Sequence, residues 1–235
     1  MRTETKAASR VADESSWVAR EMMSSLRPVY RSVQGYISKA RRFLARRELA
    51  GRELRVHEMT AGEHATVRGA FPESGAAPSA ADVDQQAEGG VGIFAAWMED
   101  KPLGLGFVNW PGPRSAQLAS RWPGTPEIYR LRVINRYRSL GIGTLQIQYL
   151  ENLAVSKGYA RIGLGVHAEN RRAHALYVRL GYEPDPQPFF DEYATTLADG
   201  RTRAVSKTSI FLVKAIGFGA SCISKSQEPH THESR

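Results

Sequence analysis

The chain has 235 residues, of which 42% are hydrophobic and 24% charged, with a formal net charge of +8 and a single cysteine, Cys222. These values exclude a low-complexity or disordered chain and a disulfide-stapled mini-protein, and leave room for one domain with extensions. The charge is uneven, because residues 1–52 carry 12 Lys/Arg against 5 Asp/Glu, a net +7 that leaves +1 for the remainder.

Residues 1–20 lack the apolar stretch of a secretory signal, and the most apolar late run, Ile210 to Phe218, is interrupted by Lys214. That run also falls short of the roughly 20 residues a membrane span needs. A reducing, cytoplasmic setting is therefore expected, with no membrane span.

Met1 to Glu14 is polar and reads as a disordered start. From Trp17 to Ala50 apolar residues recur at helical spacing through Met22, Leu26, Val33, Ile37 and Leu44, with a break or a fresh start at Pro28. Arg41, Arg42, Arg46 and Arg47 suit a helix C-terminus, and Gly51 a stop. This basic arm, residues 1–52, is expected to be partly helical. It is suited to packing on its own domain or to binding nucleic acid, an anionic membrane or a partner groove.

A compact domain is expected over residues 53–215, and a flexible tail over 216–235. Leu54–Val56 alternates as a first strand, and Thr60-Ala-Gly-Glu63 has capping-box spacing for a helix. Phe71 to Gly90 is rich in Pro, Ser, Ala and Gly and reads as a long loop or a mobile helix. Val91–Trp97 and Leu103–Trp110 flank Met98-Glu-Asp-Lys-Pro102 as an antiparallel hairpin, and Pro111 to Pro126 follows as a loop. Then come a strand at Glu127–Val133, a loop Arg138-Ser-Leu-Gly141-Ile-Gly143, a helix from Thr144 to about Lys157, and a strand from Ala160 to about His167. A helix over Arg171–Leu180 stops before Glu183-Pro-Asp-Pro-Gln-Pro188. Phe189–Thr196 and Thr208–Val213 read as the last strands, joined around Asp199-Gly200. The six histidines are scattered, and no spacing of a metal site is present.

The loop at 138–144 carries the chemistry. Gly141 and Gly143 lack a Cβ, so successive backbone N–H groups can approach an anion, and the following helix adds its positive end. Arg138 supplies a possible charge-assisted contact. The same pattern suits a plain strand-to-helix turn, and no Gly-Lys-Ser/Thr follows, so it is not a P-loop.

Context decides between those alternatives. Arg138-Ser-Leu-Gly141-Ile-Gly143, followed in order by Asn170, Ala173, Tyr177, Gly181 and Tyr182, resembles the two motifs of the GNAT N-acetyltransferase superfamily. Those motifs are Gln/Arg-x-x-Gly-x-Gly/Ala and Asn-x-x-Ala-x-x-x-Tyr-x-x-x-Gly-Phe/Tyr. The resemblance spans roughly Glu53 to Ala215 and is specific from Glu127 to Tyr182. It implies an α/β (α+β) fold with a central mixed, mostly antiparallel sheet of about seven strands and flanking helices, here with an N-terminal helical extension.

The resemblance also implies acetyl-CoA as cosubstrate. Leu131, Arg132 and Val133 would hold the pantetheine arm and the acetyl carbonyl between splayed strands. Arg138, Ser139, Leu140, Gly141, Ile142, Gly143 and Thr144 would hold the pyrophosphate. Asn170 would contact the cofactor, or simply cap its helix. Tyr177 would protonate the leaving thiolate, unless it is only a core tyrosine beside Ala173, Leu176 and Leu180. Glu127 is the candidate base, directly or through water, with His167 as a fallback.

The acceptor would lie between Phe71–Gly90 and Glu183–Tyr193. Glu183, Asp185, Asp191 and Glu192 beside Phe189, Phe190 and Tyr193 suit a cationic amine, either a small metabolite or a peptide. An enzyme acting by direct attack in a ternary complex is expected, with homodimerisation possible. The alternative is a catalytically silent module that binds CoA, or binds nucleic acid through the basic arm.

Overall fold

A computed structural model describes residues 42–72, 77–196 and 202–217. The chain divides between Ala50 and Gly51. Of the first unit residues 42–50 are described, and 42–49 are helical. Most of the basic arm, Cys222 and nearly all of the expected tail lie outside the described residues.

The second unit opens with β1 (Leu54–Glu58), a 3-10 turn (Ala61–Glu63) and α1 (His64–Ala70). The expected capping box is formed, and the Glu63 carboxylate accepts from the Thr60 N–H at 2.8 Å. Where a long loop or mobile helix was expected, Ala80–Ala87 is α2, begun by a second capping box between Ser79 and Asp82. The hairpin is β2 (Val91–Met98) and β3 (Lys101–Asn109), turned through Glu99 at φ 54°. The loop expected over Pro111–Pro126 contains a short helix, α3 (Ala116–Arg121).

There follow β4 (Glu127–Val133), a 3-10 turn (Asn135–Tyr137), α4 (Ile142–Ser156), β5 (Arg161–His167) and α5 (Arg171–Arg179). The chain ends with β6 (Glu183–Pro184), β7 (Phe189–Thr196) and β8 (Thr202–Ala215), the last much longer than its apolar stretch implied.

Eight strands, one more than expected, form a single sheet in the order β1-β2-β3-β4-β5-β8-β6, with β7 also paired to β8. Every pairing is antiparallel except β4 with β5. All eight residues of β2 are buried, because both faces of the sheet are covered. Alternation along the strand sends Ile93, Ala95 and Trp97 to a cluster with Val67 of α1. It sends Phe94 to the opposite cluster, with Ile147, Leu150 and Ala154 of α4.

The apolar positions of α4, Ile142, Ile147, Leu150 and Ala154, fall on one stripe and hold the helix against the sheet. Burying each of the larger ones stabilises the fold by about 1.5–3 kcal/mol. Leu150→Ala would cost about 2–5 kcal/mol through the cavity it leaves. Among the described residues no helix is long and apolar enough to cross a membrane.

Candidate functional site

The sheet opens at its one parallel pairing. β4 and β5 are joined only at Glu127↔Gly163 and Ile128↔Leu164. Beyond Ile128 the strand stays paired to β3, with Leu105↔Arg132 and Gly104↔Val133, but not to β5. A bulge causes the divergence. The β3–β4 register shifts between Leu105 and Phe107, and Arg130 takes φ 50°, a left-handed conformation costly for a residue with a Cβ. Past Ile128, β4 therefore runs along the gap without pairing to β5.

At the far end of that edge stands the start of α4. Gly141 adopts φ 92° as its N-cap and offers no side-chain cap, so the first-turn N–H groups are left for an external acceptor. Ser139 is also left-handed, at φ 64°. The Arg138 Nε donates to the Val133 carbonyl at 3.0 Å, which holds this arginine across the end of β4.

Two cavities flank the gap. The first, about 600 Å³, is lined by Leu131, Arg132, Val133, Arg138, Ser139, Gly141, Gly143 and Thr144 on one side, and by Asn170 and Tyr177 on the other. The second, about 820 Å³, is lined by Glu127, Leu131, Arg132, His167, Asn170 and Tyr177, with Arg114, Asp82 and Asp191. They share Leu131, Arg132, Asn170 and Tyr177 as walls. Eleven of the thirteen residues singled out from sequence as catalytic or cofactor-binding thus meet around one gap. Leu140 and Ile142 line neither cavity, and the Ile142 side chain is core.

Asn170 does cap α5, its side-chain oxygen accepting from the Ala173 N–H at 3.2 Å. Tyr177 is both a core residue, packed near Tyr182, and a wall of both cavities. Burial pushes its phenol up to about 12, so it remains a proton donor at neutral pH. Among the described residues its hydroxyl has no hydrogen-bond partner.

Glu127 is buried at the base of the second cavity. Its Oε2 accepts from the Arg114 backbone N–H at 2.8 Å and faces Arg114 Nε at 3.4 Å. Its Oε1 accepts no hydrogen bond among the described residues. Burial raises the carboxyl above the ordinary glutamate value, further than the Arg114 charge and N–H offset, with Asp191 adding to the rise. His167 Nε2 faces Asp191 Oδ2 at 3.4 Å.

Sequence reasoning missed Arg114, Asp82 and Arg130. Arg114 belongs to no motif and reaches the site only because its loop folds back on Glu127. The guanidinium also lies 4.0 Å over the Tyr129 ring. Asp82 was legible in part, through the Ser79-x-x-Asp82 spacing, but not its 2.9 Å ion pair with Arg130. The expected acidic wall is also thinner than its sequence. Phe189 and Asp191 line the cavity, whereas buried Asp185 is occupied by Trp122 Nε1 at 2.7 Å and Arg121 at 3.3 Å. Phe190 and Glu183 face solvent. Among the described residues no group of three His, Cys, Asp or Glu is placed to hold a metal ion.

A sheet opened between two parallel strands, with an uncapped helix start facing the gap, defines the acetyltransferase class of α/β proteins that the sequence motifs resemble. The model of the Acetyltransferase (GNAT) family matches residues 60–182, more than half of the chain, and the chain belongs to that family. Solved structures agree on the fold. The ribosomal-protein-S18-alanine N-acetyltransferase of Escherichia coli superposes with a TM-score of 0.50 at 16% identity, covering 74% of this chain and 100% of that one. NAA60 of Arabidopsis thaliana, solved with a bisubstrate analogue, superposes with a TM-score of 0.52 at 15% identity, covering 69% and 98%. An N-acetyltransferase of Staphylococcus aureus Mu50 gives 0.50 at 15% identity, covering 70% and 99%. No curated protein matches the chain in sequence.

Proposed function

We propose that the chain is an acetyl-CoA-dependent N-acetyltransferase that acetylates a primary amine of a small metabolite or peptide, by direct attack in a ternary complex. The observation that carries this is the shared wall. A strand edge that has parted from β5 and an uncapped helix start face one cavity, and a buried carboxylate faces the next, with Tyr177 between them.

The fit to the cosubstrate rests on donors this chain leaves open. Leu131–Val133 lies beyond the last pairing of β4 with β5, where its backbone can hold an amide arm in ladder fashion, the Val133 carbonyl being held by Arg138. The N–H groups at 142–144 and the positive end of α4 suit a pyrophosphate. Arg138 adds charge at the same end. Acetyl-CoA, when bound, supplies the acetyl group as a thioester.

Glu127 Oε1 takes a proton from the incoming amine, directly or through water, so that nitrogen can bond to the acyl carbon as the carbon–sulfur bond breaks. The raised carboxyl brings this base closer to working pH. Tyr177 gives its phenolic proton to the departing sulfur and recovers it from solvent. Asn170 fixes the start of α5, and so the position of Tyr177 one to two turns on.

A thermal-shift titration with acetyl-CoA tests this. Ligand at about 100 times Kd stabilises by about 2.7 kcal/mol. At this chain length the expected rise is on the order of 5–10 °C. Thiol release with amine panels follows. The absence of any shift at millimolar acetyl-CoA overturns the proposal.

A further inference from the structure

The charges of the acceptor cavity do not suit a polycation. Two of its three carboxylates have cationic neighbours among the described residues, Asp82 pairing with Arg130 at 2.9 Å and Glu127 with Arg114, while Asp191 faces His167 at 3.4 Å. A second positive charge on the acceptor would face Arg114, Arg130 and Arg132.

Arg114 offers the opposite. Its backbone N–H and its Nε are turned to Glu127, and among the described residues neither Nη makes a hydrogen bond. Its side chain is 46% exposed while that of Glu127 is 5% exposed, so the cation sits at the mouth and the carboxylate at the floor. The guanidinium rests over the Tyr129 ring at 4.0 Å, a contact that restrains the fork for a planar anion.

We propose that the acceptor is a primary amine bearing a carboxylate two or three bonds from its nitrogen, an α-amino acid being the simplest case, with Arg114 as the seat of that carboxylate. The inference rests on the acetyltransferase reading of the cavity. Spacing supports it. An amine hydrogen-bonded to Glu127 Oε1 and a carboxylate hydrogen-bonded to Arg114 Nη, each at about 2.8–3.0 Å, can be borne by one small molecule, because the two protein side chains are themselves in contact. A peptide N-terminus places an uncharged amide where this acceptor has its anion.

The test compares each acid with its own carboxamide. Full-length protein is assayed by thiol release with L-leucine, L-phenylalanine and L-glutamate, with the three matching α-carboxamides, and with putrescine. The expected result is kcat/KM at least tenfold higher for an acid than for its amide, and lower still for putrescine. Arg114→Ala should collapse the acid-to-amide ratio towards one, and Arg114→Glu should invert it. Effects on Glu127 cancel in that ratio, because acid and amide use the same base. A wild type that prefers amides or putrescine, or an Arg114→Ala ratio equal to wild type, overturns the proposal. The wild-type panel decides even where a variant does not fold. Acetyl-CoA stabilisation without acid preference refutes this inference alone, whereas no acetyl-CoA stabilisation and no thiol release refutes the acetyltransferase reading beneath it.

Discussion

Replacing Tyr177 by Phe removes one oxygen from the wall between the two cavities. Among the described residues that oxygen has no hydrogen-bond partner, so the substitution orphans no group and leaves the ring packed near Tyr182. Stability should change by less than about 1 kcal/mol. At this chain length that is within about 4 °C in Tm. Catalysis should suffer far more. Loss of a general acid costs about 10²–10⁴-fold in rate. That range corresponds to about 2.7–5.5 kcal/mol of barrier.

Because burial holds the phenol at about 12, it stays protonated across pH 6–9, and the fold-loss should be constant over that range. The assay is kcat by thiol release from pH 6 to 9, with acetyl-CoA affinity by thermal shift in parallel. An unchanged kcat, or a loss matched by weaker acetyl-CoA binding, would refute the general-acid role and return Tyr177 to the core alone. Tyr177→Ala is a poor substitute, because the cavity it leaves costs about 3–5 kcal/mol.

Glu127→Gln should lower kcat by about 10²-fold or more with little change in acetyl-CoA affinity, read by thiol release. The same variant should melt higher than wild type at pH 7. Burial raises the folded carboxyl, so folding favours the protonated acid below the ordinary value of 4.5 and loses that stability as pH rises through the folded value; the Tm difference should vanish below about pH 4.5. Asp82→Asn should have the opposite pH signature. Burial pushes that carboxyl up, but the Ser79 N–H and Arg130 outweigh it and hold it low. Its contribution is thus present above the ordinary 3.8 and is lost on acidification through the folded value, so denaturation midpoints of variant and wild type should converge in acid. Gly141→Ala meets no atom within 4 Å but must hold φ 92°. About 1–2 kcal/mol of destabilisation is expected, with a raised KM for acetyl-CoA.

The sequence made the centre of the fold legible because each of its elements carries its own local signal. The capping box at Thr60–Glu63, the hairpin, the glycine loop before α4 and the Asn170 cap of α5 are all set by residues within a few positions of one another. The site residues on β4 and α5 followed from motif order. Long-range partners left no such trace. Arg114 meets Glu127 across thirteen positions and Asp82 meets Arg130 across forty-eight. Composition misled in one loop. Pro111–Pro126 looks like a connection by its Pro, Gly and Ser content, yet contains a short helix started at Ser115, whereas Phe71–Gly90, read as a long loop or a mobile helix, holds a helix started at Ser79. The acidic wall misled for a related reason, since counting carboxylates along the chain cannot reveal that Asp185 is already claimed by Trp122 and Arg121.

The two residue pairs that join β4 to β5 also have a mechanical meaning. They make the sheet a pair of half-sheets fastened at one corner, with the N-terminal half ending at Val133 and the C-terminal half starting at Arg161. A ligand lying along the open edge of β4 acts as the rest of the fastening. Amide protons of β5 should therefore exchange more slowly as ligand is added, by up to a factor of 1 + [L]/Kd, while those of the β2–β3 hairpin respond less. In a cell the same coupling would link the lifetime of this protein against proteases to the supply of its cosubstrate. A starved enzyme would then be cleared faster than a loaded one.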